Sequence, residues 1–399
     1  MANWLRETPP TAGLPLSWRD FLPSAASLEQ DLAIFLGQSE TQIECSGTAA
    51  LVVALATLKR MSNRNSVVIP AYTCPLVPLA VARCGLKPVL CDTRKDHFDL
   101  RPESLNAVCG DDTLAIIPTH LGGRVADLSS AIEMARRVGA YVVEDAAQAL
   151  GASWQGQPVG SLGDIGCYSL GVGKGLTIYG GGVAIARDEN VRQQLRATAA
   201  EIAPYQIAWE ARRLLELAGY YALYRPSGLR LAFGLSLRRK LQKAKLIEAV
   251  GDDCSTNFPL HRVSNWRKAI GAHALKRLPD FIVKTTAQAM RRKSQLATIS
   301  GISVMDDAVG DSGTWPYFLV LMPSQKTRDH ALSRLWSAGL GVGRLFIHAL
   351  PDYPYLAFDQ ANTPNARDFA ARTLTISNSP WLSEDNFLHI CTVLEQSLA

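Results

Sequence analysis

The chain has 399 residues, 47% of them hydrophobic and 19% charged, with a formal net charge of +5. That length supports a large buried core, and the lack of any Pro/Ser/Gln-rich tract excludes the long disordered class. A charge this small for the length leaves no footprint for nucleic acid, and no segment reads as a membrane span.

In chain order, the opening stretch MANWLRETPPTAGLPLSWRD lacks a basic start, an apolar core and a small-residue cleavage site, so no secretory leader is expected. The eight cysteines, Cys45, Cys74, Cys84, Cys91, Cys109, Cys167, Cys254 and Cys391, contain no CxxC pair. They read as reduced thiols of a cytoplasmic protein, without a zinc site. From about residue 40 to 190, short β-branched runs alternate with helical patterns, the signature of parallel βαβ units. Strands are predicted at Val67–Ile69, Val89–Cys91, Leu114–Ile117, Tyr141–Val143, Ile165–Ser169 and Val183–Ala186, and helices at Thr48–Arg60, Pro75–Cys84 and Leu128–Val138. Ligands of such sheets sit at the carboxyl ends of the strands, where Asp145 falls.

Residues 195–255 break this rhythm and read as a basic helical insertion in a large domain spanning 1–255. Arg212, Arg213, Arg225, Arg230, Arg238, Arg239, Lys240, Lys243 and Lys245 face only Glu210, Glu216 and Glu248 between residues 206 and 250. Such a segment is an amphipathic cover, a surface for peripheral membrane contact over 206–247, or a binder of an anionic substrate. A second, smaller domain is expected over 256–399. It opens with one long helical pattern from Ser264 to about Ala297, followed by the strand-like TWPYFLVLM and helices near Lys326–Ala338, Asn365–Arg372 and Glu384–Leu398.

Two runs carry chemistry. In CYSLGVGKGLTIYGGG a single lysine, Lys174, lies among glycines; upstream, VVEDAAQALGA ends a strand in Glu144 and Asp145. A lysine acts as a nucleophile when its amine is held neutral or trapped by a carbonyl as a Schiff base. Pyridoxal 5'-phosphate supplies that carbonyl and needs an acid at its ring nitrogen and donors for its phosphate. Asp145 is the candidate acid, with Gln148 three residues on. Ser46, Gly47 and Thr48 open a helix whose free N–H groups favour a phosphate, and Ser169 offers another donor.

With CSGTAAL, VIPAYTC, IIPTHLGG, VVEDAAQALGA, the Ser-x4-Lys run and the tail LTISNSPWLSED, the chain resembles the DegT/StrS-type sugar aminotransferases, a branch of the fold type I pyridoxal-phosphate enzymes. The resemblance implies an α/β fold with a mainly parallel sheet in the large domain and a smaller C-terminal α+β domain. It implies that Lys174 holds the cofactor and moves the proton, with Asp145 on the pyridine nitrogen, Gln148 beside the ring, and Ser169 and Thr48 on the phosphate. The implied reaction moves an amino group, usually from glutamate, to a keto-sugar linked to a nucleotide or lipid, in a homodimer. His120 matches a position lining the same pocket, or is a buried structural histidine.

Three departures accompany this likeness. Cys74 stands where the family has an aromatic residue on the cofactor ring, with Tyr72 a substitute only after loop rearrangement. The family's Asn-x-Arg stretch reads LHR, leaving Leu260 or His261 in the asparagine's place. Phe346 and His348 fit loosely where a His-Tyr pair and a second histidine are usual. The competing functions are a sugar dehydratase of the same family, against which the presence of Lys174 speaks, and a regulatory protein that keeps the cofactor without turnover.

Overall fold

The computed structural model describes residues 6–358 and 361–398; Met1–Leu5, which begin the stretch read above for a leader, lie outside the described residues. The first half gives α1 (Leu28–Phe35), β1 (Gln42–Glu44), α2 (Gly47–Met61), β2 (Ser66–Pro70), α3 (Leu76–Arg83), β3 (Lys87–Cys91), α4 (Pro102–Val108) and β4 (Thr113–Ile116). It continues with α5 (Ser129–Val138), β5 (Tyr141–Asp145), β6 (Ser153–Trp154), β7 (Gln157–Pro158), β8 (Ile165–Ser169), β9 (Gly182–Ala186) and α6 (Glu189–Ile202). The main sheet has the order β1-β9-β8-β5-β4-β2-β3. Its strands from β3 to β8 are parallel, while β9 runs antiparallel to both β8 and β1. β2, β4 and β9 are buried along their whole length, which is why they read as continuous apolar runs rather than alternating ones.

The basic segment folds as α7 (Ile207–Leu223), α8 (Pro226–Leu229), a π-helical turn at Arg230–Gly234, α9 (Leu235–Gln242) and α10 (Leu246–Val250). Much of its charge is neutralised locally. Arg212 and Arg213 pair with Glu216, Lys245 with Glu248, and Arg238 with Glu7. The base of α7 is pinned by Glu210, which accepts from Arg267 Nε at 3.0 Å and from the Ser264 N–H at 2.8 Å. Burial works against the Glu210 charge, but hydrogen bonds from His261, Arg267 and Ser264 hold the carboxyl well below its usual range.

The rest comprises α11 (Asn265–Leu275), α12 (Leu278–Leu296), β10 (Ser303–Val304), β11 (Tyr317–Leu321), α13 (Gln325–Leu335), β12 (Val342–Gly343), α14 (Pro364–Arg372), β13 (Thr373–Ser377) and α15 (Glu384–Leu398). The strands form an antiparallel sheet ordered β10-β11-β13-β12. The single helical pattern read from Ser264 to Ala297 is in fact two helices, because the chain breaks at Lys276 and Arg277. Pro279 then occupies the first turn of α12, where its missing N–H costs no hydrogen bond. Ala272, Ala274 and Leu275 of α11 pack into the main-sheet core, whereas Ala289 and Leu296 of α12 pack against Phe318 and Val320 of the small sheet.

An N-terminal strap ties these layers together. Backbone bonds run from Glu7 to Pro226, Thr8 to Gly339, Ala12 to Pro316 and Leu14 to Gly175. The strap therefore touches the basic segment, the small sheet and the Lys174 loop at once. Among the described residues no helix is long and apolar enough to cross a membrane.

Candidate active site

Helix α2 begins where the main sheet ends. Ser46 is its N-cap, extended in backbone, and its Oγ accepts the Ala49 N–H at 3.0 Å. The N–H groups of Gly47 and Thr48 have no partner within the helix, so the positive end of the helix is open to an anion. The start of α2 lies directly against the end of β8: a methyl group at Gly47 would stand 2.9 Å from Ser169 Cβ. Only glycine allows that approach, which brings the Ser169 hydroxyl beside the helix terminus. Gly47→Ala is expected to push the two apart and weaken phosphate-bearing cofactor binding by about tenfold or more, measured by absorbance titration of the apoprotein.

The two acids at the end of β5 have separate tasks. Glu144, with no exposed surface, accepts N–H groups of Gly160 and Leu162 at 2.6 Å and of Gly163 at 2.5 Å. It is consumed in holding the 160–163 turn. Asp145 lines a cavity of about 380 Å³, and its Oδ1 accepts the Ala147 N–H at 3.1 Å. Burial pushes the Asp145 carboxyl upward, opposed by that N–H and by the charge of Lys174.

Lys174 lines the same cavity. Burial lowers its amine from the ordinary lysine value, with Cys74 and Asp145 pulling the other way. The loop that carries it turns at Gly173, whose φ of +79° favours glycine, and the carbonyl of Gly173 accepts from Thr11 Oγ1 of the strap at 2.7 Å. The glycine-rich run thus lets the backbone turn beneath the strap and deliver one amine to the cavity.

Ser46, Gly47, Thr48, Cys74, Asp145, Gln148, Ser169 and Lys174 all line this one cavity, as does His120. Gln148 is fixed by its Oε1, which accepts from the Gly122 N–H at 3.0 Å and from the Tyr317 hydroxyl. His120 has no exposed surface; Nδ1 accepts the Ala126 N–H at 3.0 Å, which puts the ring proton on Nε2, 3.4 Å from Glu144. It is therefore both a cavity wall and a buried, hydrogen-bonded histidine. Burial pushes the Cys74 thiol up to about 12, so Cys74 presents a neutral, polarisable surface rather than a nucleophile.

The residues of the three departures are placed as follows. Tyr72 does not replace the missing aromatic: it is buried edge-on between Phe346 and Phe369, with ring centroids at 5.4 and 5.1 Å. His348 is outside the cavity lining, its ring edge-on to Tyr353, while Phe346 and Leu345 line the cavity instead. His261 faces inward, with Nδ1 3.3 Å from Glu210, and Leu260 packs against the main core. Sequence reasoning missed Tyr317, whose strand carries no motif, and Thr11, whose role depends on the strap folding back over the loop.

The model of the DegT/DnrJ/EryC1/StrS aminotransferase family matches residues 15–395. Among curated relatives, the spore coat polysaccharide biosynthesis protein SpsC of Bacillus subtilis is 25% identical, covering 94% of this chain and 90% of its own. GDP-perosamine synthase of Caulobacter vibrioides is 27% identical over 89% of this chain and 85% of its own. Among solved structures, Spr1654 of Streptococcus pneumoniae in its PLP form superposes with a TM-score of 0.75 at 20% identity, covering 98% of this chain and all of that one (100%).

Proposed function

The chain belongs to the DegT/DnrJ/EryC1/StrS aminotransferase family, and on that premise we propose that it is a pyridoxal 5'-phosphate-dependent aminotransferase that passes an amino group from glutamate to a keto-sugar. The observation that carries this reading is the meeting, in one cavity, of an open helix N-terminus, a buried carboxylate and a buried amine. These are the three groups the cofactor requires at its phosphate, its ring nitrogen and its aldehyde. The relatives' names, a polysaccharide biosynthesis protein and a GDP-sugar synthase, support a sugar acceptor.

When bound, the cofactor supplies an electron sink for the carbanion formed as a proton leaves the amino donor. The chain's own residues do the rest. The N–H groups of Gly47 and Thr48, with the hydroxyls of Thr48 and Ser169, would hold the phosphate. Asp145, as a carboxylate, would keep a proton on the ring nitrogen, because its negative charge raises the affinity of a neighbouring base for that proton. Gln148, held by Gly122 and Tyr317, would orient the ring. Lys174 would hold the cofactor through its aldehyde and is the group placed to carry a proton within the cavity. Burial lowers its affinity for protons, which favours its neutral, proton-accepting form relative to an ordinary lysine. Glu144 and His120 keep the walls rigid, so that Asp145 is held in place.

The acceptor half of this reading is tested by incubating the holoprotein with ¹⁵N-glutamate and nucleotide-linked keto-sugars, followed by mass spectrometry. Label in the sugar product is expected. Label that stays wholly in glutamate with every such acceptor would exclude that acceptor class.

A further inference from the structure

Asp252 is an acid of the cofactor cavity for which the chemistry above has no task. It stands where the basic segment ends. Helix α10 stops at Gly251, whose φ of +83° is the left-handed turn that favours glycine, and Val250, Gly251 and Asp252 then line the cavity with Cys74 and Phe346. A methyl group at Gly251 would meet no atom within 4 Å, so the turn borders open space. Cys74, smaller than the aromatic residue usual at its position, is close enough to Asp252 and Asp145 for both charges to act on its thiol.

One side of the carboxylate is tied down. Oδ2 accepts the Ile347 N–H at 2.9 Å and the Tyr353 hydroxyl, while the Tyr355 hydroxyl donates to the Asp252 carbonyl. These bonds fix the side chain against the loop that follows β12. The other oxygen, Oδ1, accepts no hydrogen bond among the described residues, and it is not sealed off, although the residue is only 4% exposed. Nor does any cation among the described residues form an ion pair with it; Arg344 acts on its charge through space. Burial pushes the carboxyl up to about 6, opposed by the Tyr353 and Ile347 bonds and by Arg344. The other groups around it are its neighbour Asp253 and the phenols and thiols of Tyr72, Cys74, Cys254, Tyr353 and Tyr355, which burial keeps neutral. A buried acceptor oxygen without a donor is costly until one arrives.

We propose that Asp252 is a specificity residue for the amine acceptor: its Oδ1 accepts a hydrogen bond from a hydroxyl of the keto compound whose carbonyl meets the cofactor. The proposal rests on the aminotransferase reading and deepens it. The carboxylate selects in two ways. It repels an acceptor that would set a carboxylate of its own at that point, and it penalises one that lacks the hydroxyl, because the buried oxygen is then left unpaired. The basic segment thus serves the site through the turn that carries Asp252, not through its cations.

The test loads the full-length protein with pyridoxamine 5'-phosphate and follows the return of the visible cofactor band as a ketone takes the amine. The probes are cyclohexanone, 2-hydroxycyclohexanone and 3-hydroxycyclohexanone. In Asp252→Asn the amide oxygen can take over the Ile347 and Tyr353 bonds, so the fold is kept, but an NH₂ donor replaces the acceptor that faces the cavity. For at least one hydroxyketone, its rate relative to cyclohexanone is expected to be about tenfold higher in the parent than in the variant, the worth of one charge-assisted contact. A merely structural residue would slow all three ketones alike and leave that ratio unchanged. In the parent the ratio is expected to fall as pH drops through about 6, because a protonated carboxyl accepts a weaker bond. His348, edge-on to Tyr353, also titrates below the ordinary histidine value, so the loss of this pH dependence in Asp252→Asn is what assigns it to Asp252. The same ratios in parent and variant would overturn the proposal. A parallel reaction with 2-oxoglutarate keeps the two readings apart. Return of the band with 2-oxoglutarate but no difference between parent and variant toward the ketones sinks the role of Asp252 alone; no return with 2-oxoglutarate or any ketone sinks the aminotransferase reading, and this proposal with it.

Discussion

Lys174→Ala is expected to reduce transamination by at least about a thousandfold, since the variant loses both the group that holds the cofactor aldehyde and the group that moves the proton. The fold should survive. The amine sits in a buried setting that disfavours its charge, and among the described residues it pairs with no acid in a salt bridge. A lysine whose affinity for protons is lowered on folding weakens the native state wherever the amine is charged when unfolded, which includes neutral pH. The variant's melting temperature without cofactor is therefore expected to equal or exceed that of the unmodified protein. Activity retained in Lys174→Ala would remove the central assignment, whereas a collapsed melting temperature would reassign Lys174 to structure.

Asp145→Asn separates chemistry from stability in the opposite way. Without a carboxylate, the ring nitrogen loses its proton and the electron sink weakens. Turnover is expected to fall by roughly a hundredfold to a thousandfold, the usual loss when one preorganised charge is removed from an active site. In the apoprotein the sign reverses. Burial raises the Asp145 carboxyl above its ordinary value of 3.8, so stability is greatest below that value and is lost as pH rises through the folded-state value. Asparagine escapes this penalty. The apo variant is expected to melt higher than the apo parent at neutral pH, yet to gain less when pyridoxal 5'-phosphate is added, because no anion meets the ring nitrogen. Thermal melts with and without cofactor read both effects, and an equal cofactor-induced rise in the two proteins would mean that Asp145 does not face that nitrogen.

Much of the sheet was legible because its strands are buried on both faces. Val67–Ile69 and Ile165–Ser169 read as short apolar runs, and β2 and β8 contain them. β1 escaped notice: its three residues, Gln42, Ile43 and Glu44, form an edge strand with a single apolar side chain. The split between α11 and α12 was hidden because apolar periodicity continues across Lys276 and Arg277, leaving Pro279 as the one local signal. At the site, residues named from short-range motifs, including Lys174, Asp145 and Ser169, line one cavity. Those that depend on distant segments folding together were not legible. Tyr317 reaches Gln148 across a sequence separation of 169 residues, and no local pattern encodes that contact. The place of His348 likewise depends on the fold: the loop after β12 turns Phe346 toward the cavity and leaves the histidine against Tyr353. In the basic segment the Arg238–Glu7 pair was not legible, because it joins parts of the chain far apart in sequence.

The most direct test of the central claim is the visible absorbance of the purified protein, reconstituted with pyridoxal 5'-phosphate and recorded before and after glutamate is added. A visible cofactor band that glutamate converts to the shorter-wavelength pyridoxamine form is the predicted result, and it requires Lys174, Asp145 and the α2 terminus to act as one site. A protein that develops no cofactor band after reconstitution, or a band that glutamate leaves unchanged, would contradict the account.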